Sequence, residues 1–152
     1  MKARKLVIPI MLCALMTCSA AAAEEVGTSV PNLLGKWTVE SKDIFVEGVK
    51  HFKGVLEITS QEGPLFSGTW SWKISDGSPV ATSGGSENAR VTQAEERIVG
   101  VVGFDGKTVH IAEKDDWGKH VGRLVGPDTM HVIYLESGPG ASAGRRILKR
   151  ER

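Results

Sequence analysis

An all-β fold is what this sequence predicts: about eight antiparallel strands closing into an up-and-down β-barrel. Three observations predict it. Apolar and polar residues alternate with period two across most of the chain from Gly35 onward, as expected for strands buried on one face and wet on the other. The connections are short and carry turn chemistry, which favours antiparallel neighbours. No segment shows a helical period. Eight strands that close on themselves remove every exposed edge. A two-sheet β-sandwich is the alternative that turn spacing leaves open.

The strands follow in order. Residues 36–41 put Trp37 and Val39 on one face, and residues 55–60 put Leu56 and Ile58 together. The clearest strand is 66–74, where Phe66, Trp70, Trp72 and Ile74 share a face with Gly68 while Ser67, Thr69, Ser71 and Lys73 share the other. Residues 98–104, 108–113, 120–125, 130–135 and 146–149 complete the set. Gln61-Glu62-Gly63-Pro64 separates the second and third strands. Phe104-Asp105-Gly106-Lys107 holds the Asp-Gly pair of a tight hairpin, where positive φ is needed. In Gly126-Pro127-Asp128-Thr129 the proline is preset for a β-turn. Two stretches differ in composition. Residues 76–95 are rich in Ser, Gly and Thr, with room for a short strand near 89–92, and residues 137–144 are small apart from Pro139. Both read as loops flanking a barrel mouth or as solvated connectors.

Ahead of these strands, residues 1–23 read as a secretory signal: basic Lys2, Arg4 and Lys5, an apolar run from Leu6 to Met16, and the small residues Ala21-Ala22-Ala23. The apolar run is too short for a permanent membrane span, and no later window is more apolar. Cleavage after Ala23 leaves residues 24–152 as a single domain. It removes three of the 19 basic residues and none of the 18 acidic ones, so the mature chain carries a net charge of −2. That balance argues against nucleic-acid binding. Cys13 and Cys18 lie inside the signal, so the mature domain has no disulfide, thiolate or redox chemistry. Export to the periplasm or the exterior is the expectation. The alternative is a lipid anchor on Cys18, since Leu15-Met16-Thr17-Cys18 resembles a lipoprotein signal.

Residues able to carry chemistry are few. His51, His110, His120 and His131 show no metal-ligand spacing, and no metal or cofactor is expected. His110 falls on the polar face of its strand, and His131 lies opposite Met130, Val132 and Tyr134. Asp115-Asp116 beside Trp117 and His120 is the densest polar cluster; turn chemistry is the simpler reading, acid–base work the other. No Gly-x-Ser-x-Gly elbow or phosphate-cradling loop is present, so no catalytic residue is assigned. Arg145, Arg146, Lys149, Arg150 and Arg152 form a basic end, read as a solvated terminal strand since the rest of the chain is acidic, with a patch for anions as the alternative. Trp70 and Trp72 serve as core if the interior is filled and as ligand walls if it is open.

The segment Pro31-Asn32-Leu33-Leu34-Gly35-Lys36-Trp37 resembles the Gly-x-Trp opening of the calycins, the superfamily of lipocalins, fatty-acid-binding proteins and avidins. The resemblance implies a short helical turn before the motif and a basic residue of the last strand, Arg145, Arg146 or Lys149, packed over Trp37. Gly35-Lys36-Trp37-Thr38 with Phe66-Ser67-Gly68-Thr69-Trp70 is similar to avidins. Trp70 replaces the tyrosine those proteins carry and Trp72 a small polar residue, so biotin binding does not carry over. Phe-Ser-Gly-Thr and Val-Gly-Phe-Asp-Gly-Lys-Thr-Val also resemble patterns in exported bacterial proteins, which implies the fold and no activity.

The expected function is that of an exported, non-enzymatic barrel binding a small, largely apolar ligand, with Trp70, Trp72, Phe66 and Trp37 as binding residues. The alternative is a cell-envelope interaction or structural module whose barrel is fully packed. An enzyme using His110, His131 or the Asp115-Asp116 pair ranks third.

Overall fold

A computed structural model describes residues 29–82, 90–114 and 116–152. The signal segment with Cys13 and Cys18 lies outside the described residues, as does Asp115. Eight strands form the barrel: β1 (Gly35–Phe45), β2 (Gly48–Glu62), β3 (Leu65–Ile74), β6 (Gln93–Val102), β7 (Thr108–Glu113), β8 (Lys119–Gly126), β9 (Thr129–Glu136) and β10 (Ser142–Arg150). Each pairs antiparallel with its neighbours, and β10 closes onto β1. Between β3 and β6, β4 (Val80–Ala81) and β5 (Arg90–Val91) form a separate two-stranded ribbon. The fold is thus a closed barrel rather than a sandwich, and no helix occurs among the described residues.

The alternation decides which side chains fill the interior. On β3, Phe66, Trp70 and Ile74 are buried and Trp72 is partly buried, all on one face. Trp37 and Val39 of β1, and Leu56 and Ile58 of β2, face the same core. Burying one tryptophan removes about 200 Å² from water, worth roughly 5 kcal/mol as an upper figure. Space for Trp70 comes from Gly54 of β2, where an added Cβ would stand 2.5 Å from the indole ring. Turns sit where their residue types demand. Gly106 has φ +64°, and Asp105 accepts hydrogen bonds from the Lys107 and Thr108 amides, which holds its carboxyl below the usual range.

Several strands run further than their alternation suggests. Beyond Ser41 the inward phase continues but the polarity pattern inverts: Asp43 points inward, while Ile44, Val46 and Val49 are exposed around the β1–β2 hairpin. Backbone pairing carries β1 and β2 through that stretch although the hydrophobic pattern argues against it. Ser142 to Gly144, expected as loop, form the start of β10, and Gln93 to Glu95 the start of β6. The expected strand near 89–92 is β5, shortened to two residues.

The two ends of the barrel are built differently. One end is stoppered by residues 31–33. Leu33 is fully buried, its amide donates to Gln61 Oε1 at 2.8 Å, and Gln61 Nε2 donates to the Pro31 carbonyl at 2.8 Å. Trp37 Nε1 donates to the Leu33 carbonyl at 2.9 Å. Arg150 lies over the Trp37 ring at 4.4 Å and donates to the Asn32 carbonyl at 2.6 Å. This corrects two implications of the calycin resemblance. Residues 29–34 form no helical turn, and the basic residue over Trp37 is Arg150, not Arg145, Arg146 or Lys149. The register explains the second point, because Trp37 and Arg150 are direct partners across β1 and β10.

Candidate functional site

The opposite end carries the long connections: the β4–β5 ribbon, the 137–141 loop, the β7–β8 turn and the β1–β2 hairpin. Ribbon and hairpin are tied together, since the Ala81 amide donates to Glu47 Oε1 at 2.9 Å and Arg90 pairs with Glu47 at 3.2 Å. A Cβ on Gly140 would meet the Thr82 backbone at 2.7 Å, so the 137–141 loop lies directly on the chain leaving β4. Val80 is fully buried beneath this roof.

Below the roof the interior is polar. Asp43, Glu113, His120, Ser142 and Arg146 are the polar side chains buried among the described residues, and all five belong to this half. Each sits in phase with apolar inward neighbours: Asp43 with Trp37 and Val39, Arg146 with Leu148, Glu113 with Val109 and Ile111. Arg146 Nε and Nη2 donate to Asp43 Oδ2 at 2.9 and 2.6 Å, and Ser41 Oγ donates to Asp43 Oδ1 at 2.8 Å. Gly144 makes room for this pair, because a Cβ there would overlap the Asp43 carboxylate. The Arg146 guanidinium lies 3.9 Å from the Tyr134 ring centre, 4.4 Å from that of Phe52 and 5.1 Å from that of Trp70. Its Nη1 has no hydrogen-bond partner among the described residues.

A second group adjoins the first. His120 Nε2 stands 2.8 Å from Glu113 Oε1, and the His120 ring packs against Trp70 and Tyr134, with centres 5.2 and 4.7 Å apart. Tyr134 Oη and Ser142 Oγ both donate to Glu136 Oε2 at 3.0 Å. Burial is the main cause of each shift in proton affinity. It pushes Glu96 up to about 8, aided by the Glu113 charge, and Glu113 up to about 7. It raises Asp116 and Tyr134 and, with Arg146 nearby, holds His120 well below the usual imidazole value. At neutral pH His120 is therefore an uncharged ring and Glu96 is largely protonated. Glu96, Glu113 and Asp116 each place one ligand oxygen within 4.8 Å of the others, the set that would hold a cation or share protons.

Phe45, Phe52, Trp70, Trp72, Ala81, Thr82, Asp116, Tyr134, Glu136, Ser142 and Arg146 enclose a chamber at this mouth, with about 10 Å³ of free space. That is room for about one water molecule. Of the four predicted binding residues, Trp70 and Trp72 line it. Trp70 is buried in its floor, and Trp72 is half-buried at its rim. Trp37 and Phe66 are buried in the core and are not among its walls. His51, His110 and His131 are exposed, and His131 lies outside beside Ile133 and Leu135. Two expectations need correcting. The basic end is not uniformly solvated, because Arg146 is 4% exposed and sits on the inward phase of β10 while Arg145 and Lys149 face water. Asp116 does not simply point into solvent as a turn residue; it lines the chamber beside two inward glutamates. Asp43, Glu96, Glu113, Glu136 and Tyr134 are not singled out by the sequence, and Arg146 is singled out there only as part of the basic end and as a candidate to cover Trp37. The signal was a polar residue standing where the alternation demands an apolar one.

No protein-family model matches the chain, and no curated protein matches it significantly. Among solved structures it is similar to an S-type phycobiliprotein lyase from Guillardia theta, with 14% identity over 79% of this chain and 89% of that one and a TM-score of 0.45.

Proposed function

We propose that the protein is an exported, non-enzymatic barrel that binds a small ligand at its open end, the ligand having a largely apolar body and a polar head. One observation carries this reading: the open half buries Asp43, Glu113, His120, Ser142 and Arg146 against aromatic rings. A buried ion pair contributes little net stability compared with well-packed apolar residues of the same volume, so a barrel selected for packing alone gains nothing from this layer. Aromatic walls around a few convergent polar groups are what a small-molecule site requires. The ligand enters by displacing Trp72 and the roof at Ala81 and Thr82, since the free space holds only about one water molecule. The basic, apolar and small-residue order of residues 1–23 supports export.

Tryptophan fluorescence tests it. Small aryl compounds shift or quench the emission, and Trp72→Ala abolishes the response while the fold is retained. The packed cell-envelope module is the second reading, favoured by the same small free volume. Silence across a broad panel of aryl and aliphatic compounds selects that reading.

A further inference from the structure

We infer that the open-end chamber recognises a neutral carbonyl or amide oxygen, held by Arg146 Nη1, in preference to a carboxylate. The inference rests on the ligand-binding reading above and names the polar head of that ligand. Arg146 is 4% exposed and lines the chamber. Two of its nitrogens are committed to Asp43, which is 1% exposed. Nη1 remains a buried donor with no acceptor among the described residues. Such a donor costs free energy until an acceptor arrives, so it selects for ligands that bring one.

The charge balance around it selects which acceptor. Asp43 already offsets the guanidinium. Among the described residues, the other ionisable groups facing the chamber, or adjoining those that do, are the acidic Asp116, Glu136, Glu113 and Glu96, the Tyr134 phenol, held protonated by burial, and His120, which is uncharged. A carboxylate ligand adds a negative charge to a pocket whose described lining offers no cation besides Arg146, in surroundings that screen charge poorly. A neutral C=O completes Nη1 without that penalty. The rings of Phe52, Trp70, Trp72 and Tyr134 then flank the body attached to it.

The test compares benzamide, benzoate and toluene on the unaltered protein, by calorimetry and by the side-chain nitrogen resonances of Arg146. Benzamide is expected to bind about tenfold or more tightly than benzoate or toluene and to move the Arg146 Nη resonance. Asp43→Asn/Arg146→Gln, which leaves no buried charge unpaired, is expected to abolish the preference for benzamide. Benzoate binding as tightly as benzamide overturns the inference. Toluene binding as tightly, with the Arg146 resonance unmoved, also overturns it and leaves the ligand-binding reading standing. If none of the three binds, both fall.

Discussion

The two ends of this barrel solve the same problem, closing a cylinder of strands, with opposite chemistry. At the stoppered end most inward polar groups have a local partner: Trp37 finds Leu33, Gln61 finds Pro31, and Arg150 finds Asn32 while stacking on Trp37, with its Nε 3.7 Å from Asp128 and making no hydrogen bond among the described residues. At the open end an Asp–Arg pair is sunk among rings, one guanidinium nitrogen is left over, and three carboxyl groups crowd one another. The first arrangement satisfies most of what folding buries with backbone carbonyls close by. The second leaves donors and charges that folding alone does not use, which is where binding sites are found.

The largest effects should come from breaking the polar layer halfway. Asp43→Ala or Arg146→Ala leaves one buried charge unpaired and is expected to cost about 3–5 kcal/mol in denaturant unfolding. Replacing both, as Asp43→Val/Arg146→Met, should recover most of that loss, because paired burial contributes little net. A double variant as unstable as the worse single would make the pair structural. At the stoppered end Trp37→Ala should cost about 3–5 kcal/mol through its cavity and the loss of the Arg150 stack, and no second substitution nearby should restore it.

A smaller effect distinguishes the ends by pH. Glu96 and Glu113 ionise near 4.5 when unfolded but near 8 and 7 in the fold, so between those values the folded state binds more protons. Stability must then fall as pH rises through that window. Below 6.5 the neutral, buried His120 opposes the trend, because the unfolded imidazole takes up a proton there. The unopposed stretch is pH 6.5 to 8, where the melting temperature should drop by about 2–4 °C. Glu96→Gln should flatten the slope; an unchanged slope would show that these carboxyls are not the source.

Trp72→Ala should cost only about 1 kcal/mol, its ring being only partly buried at the rim, while removing any ligand response. His110→Ala and His131→Ala should change stability by no more than about 0.5 kcal/mol, both being exposed on the outer wall.

How much of this was legible depends on which end is considered. The strand faces of Trp37, Leu56, Phe66, Trp70 and Met130 follow from alternation, and the Asp105-Gly106 and Pro127-Asp128 turns from residue type. All eight barrel strands were therefore visible in outline. The candidate site was largely hidden, because alternation assigns polar residues to the outside. Asp43 and Arg146 fall on inward positions, yet they stand beside outward Ile44 and Ile147, which makes the local pattern read in the wrong phase. Their pairing spans 103 positions of sequence and appears only when β1 meets β10. The start of β10 was hidden for a related reason: Ser142, Ala143 and Gly144 look like a linker until Asp43 and Glu136 are seen packed against them.

The four tryptophans offer the most direct measurement, since their indole N–H resonances report the ends separately. In a two-dimensional nitrogen–proton spectrum titrated with benzamide, Trp72 and Trp70 should move while Trp37 stays fixed. Movement of Trp37 with the other two unperturbed would place the ligand at the stoppered end and contradict the account.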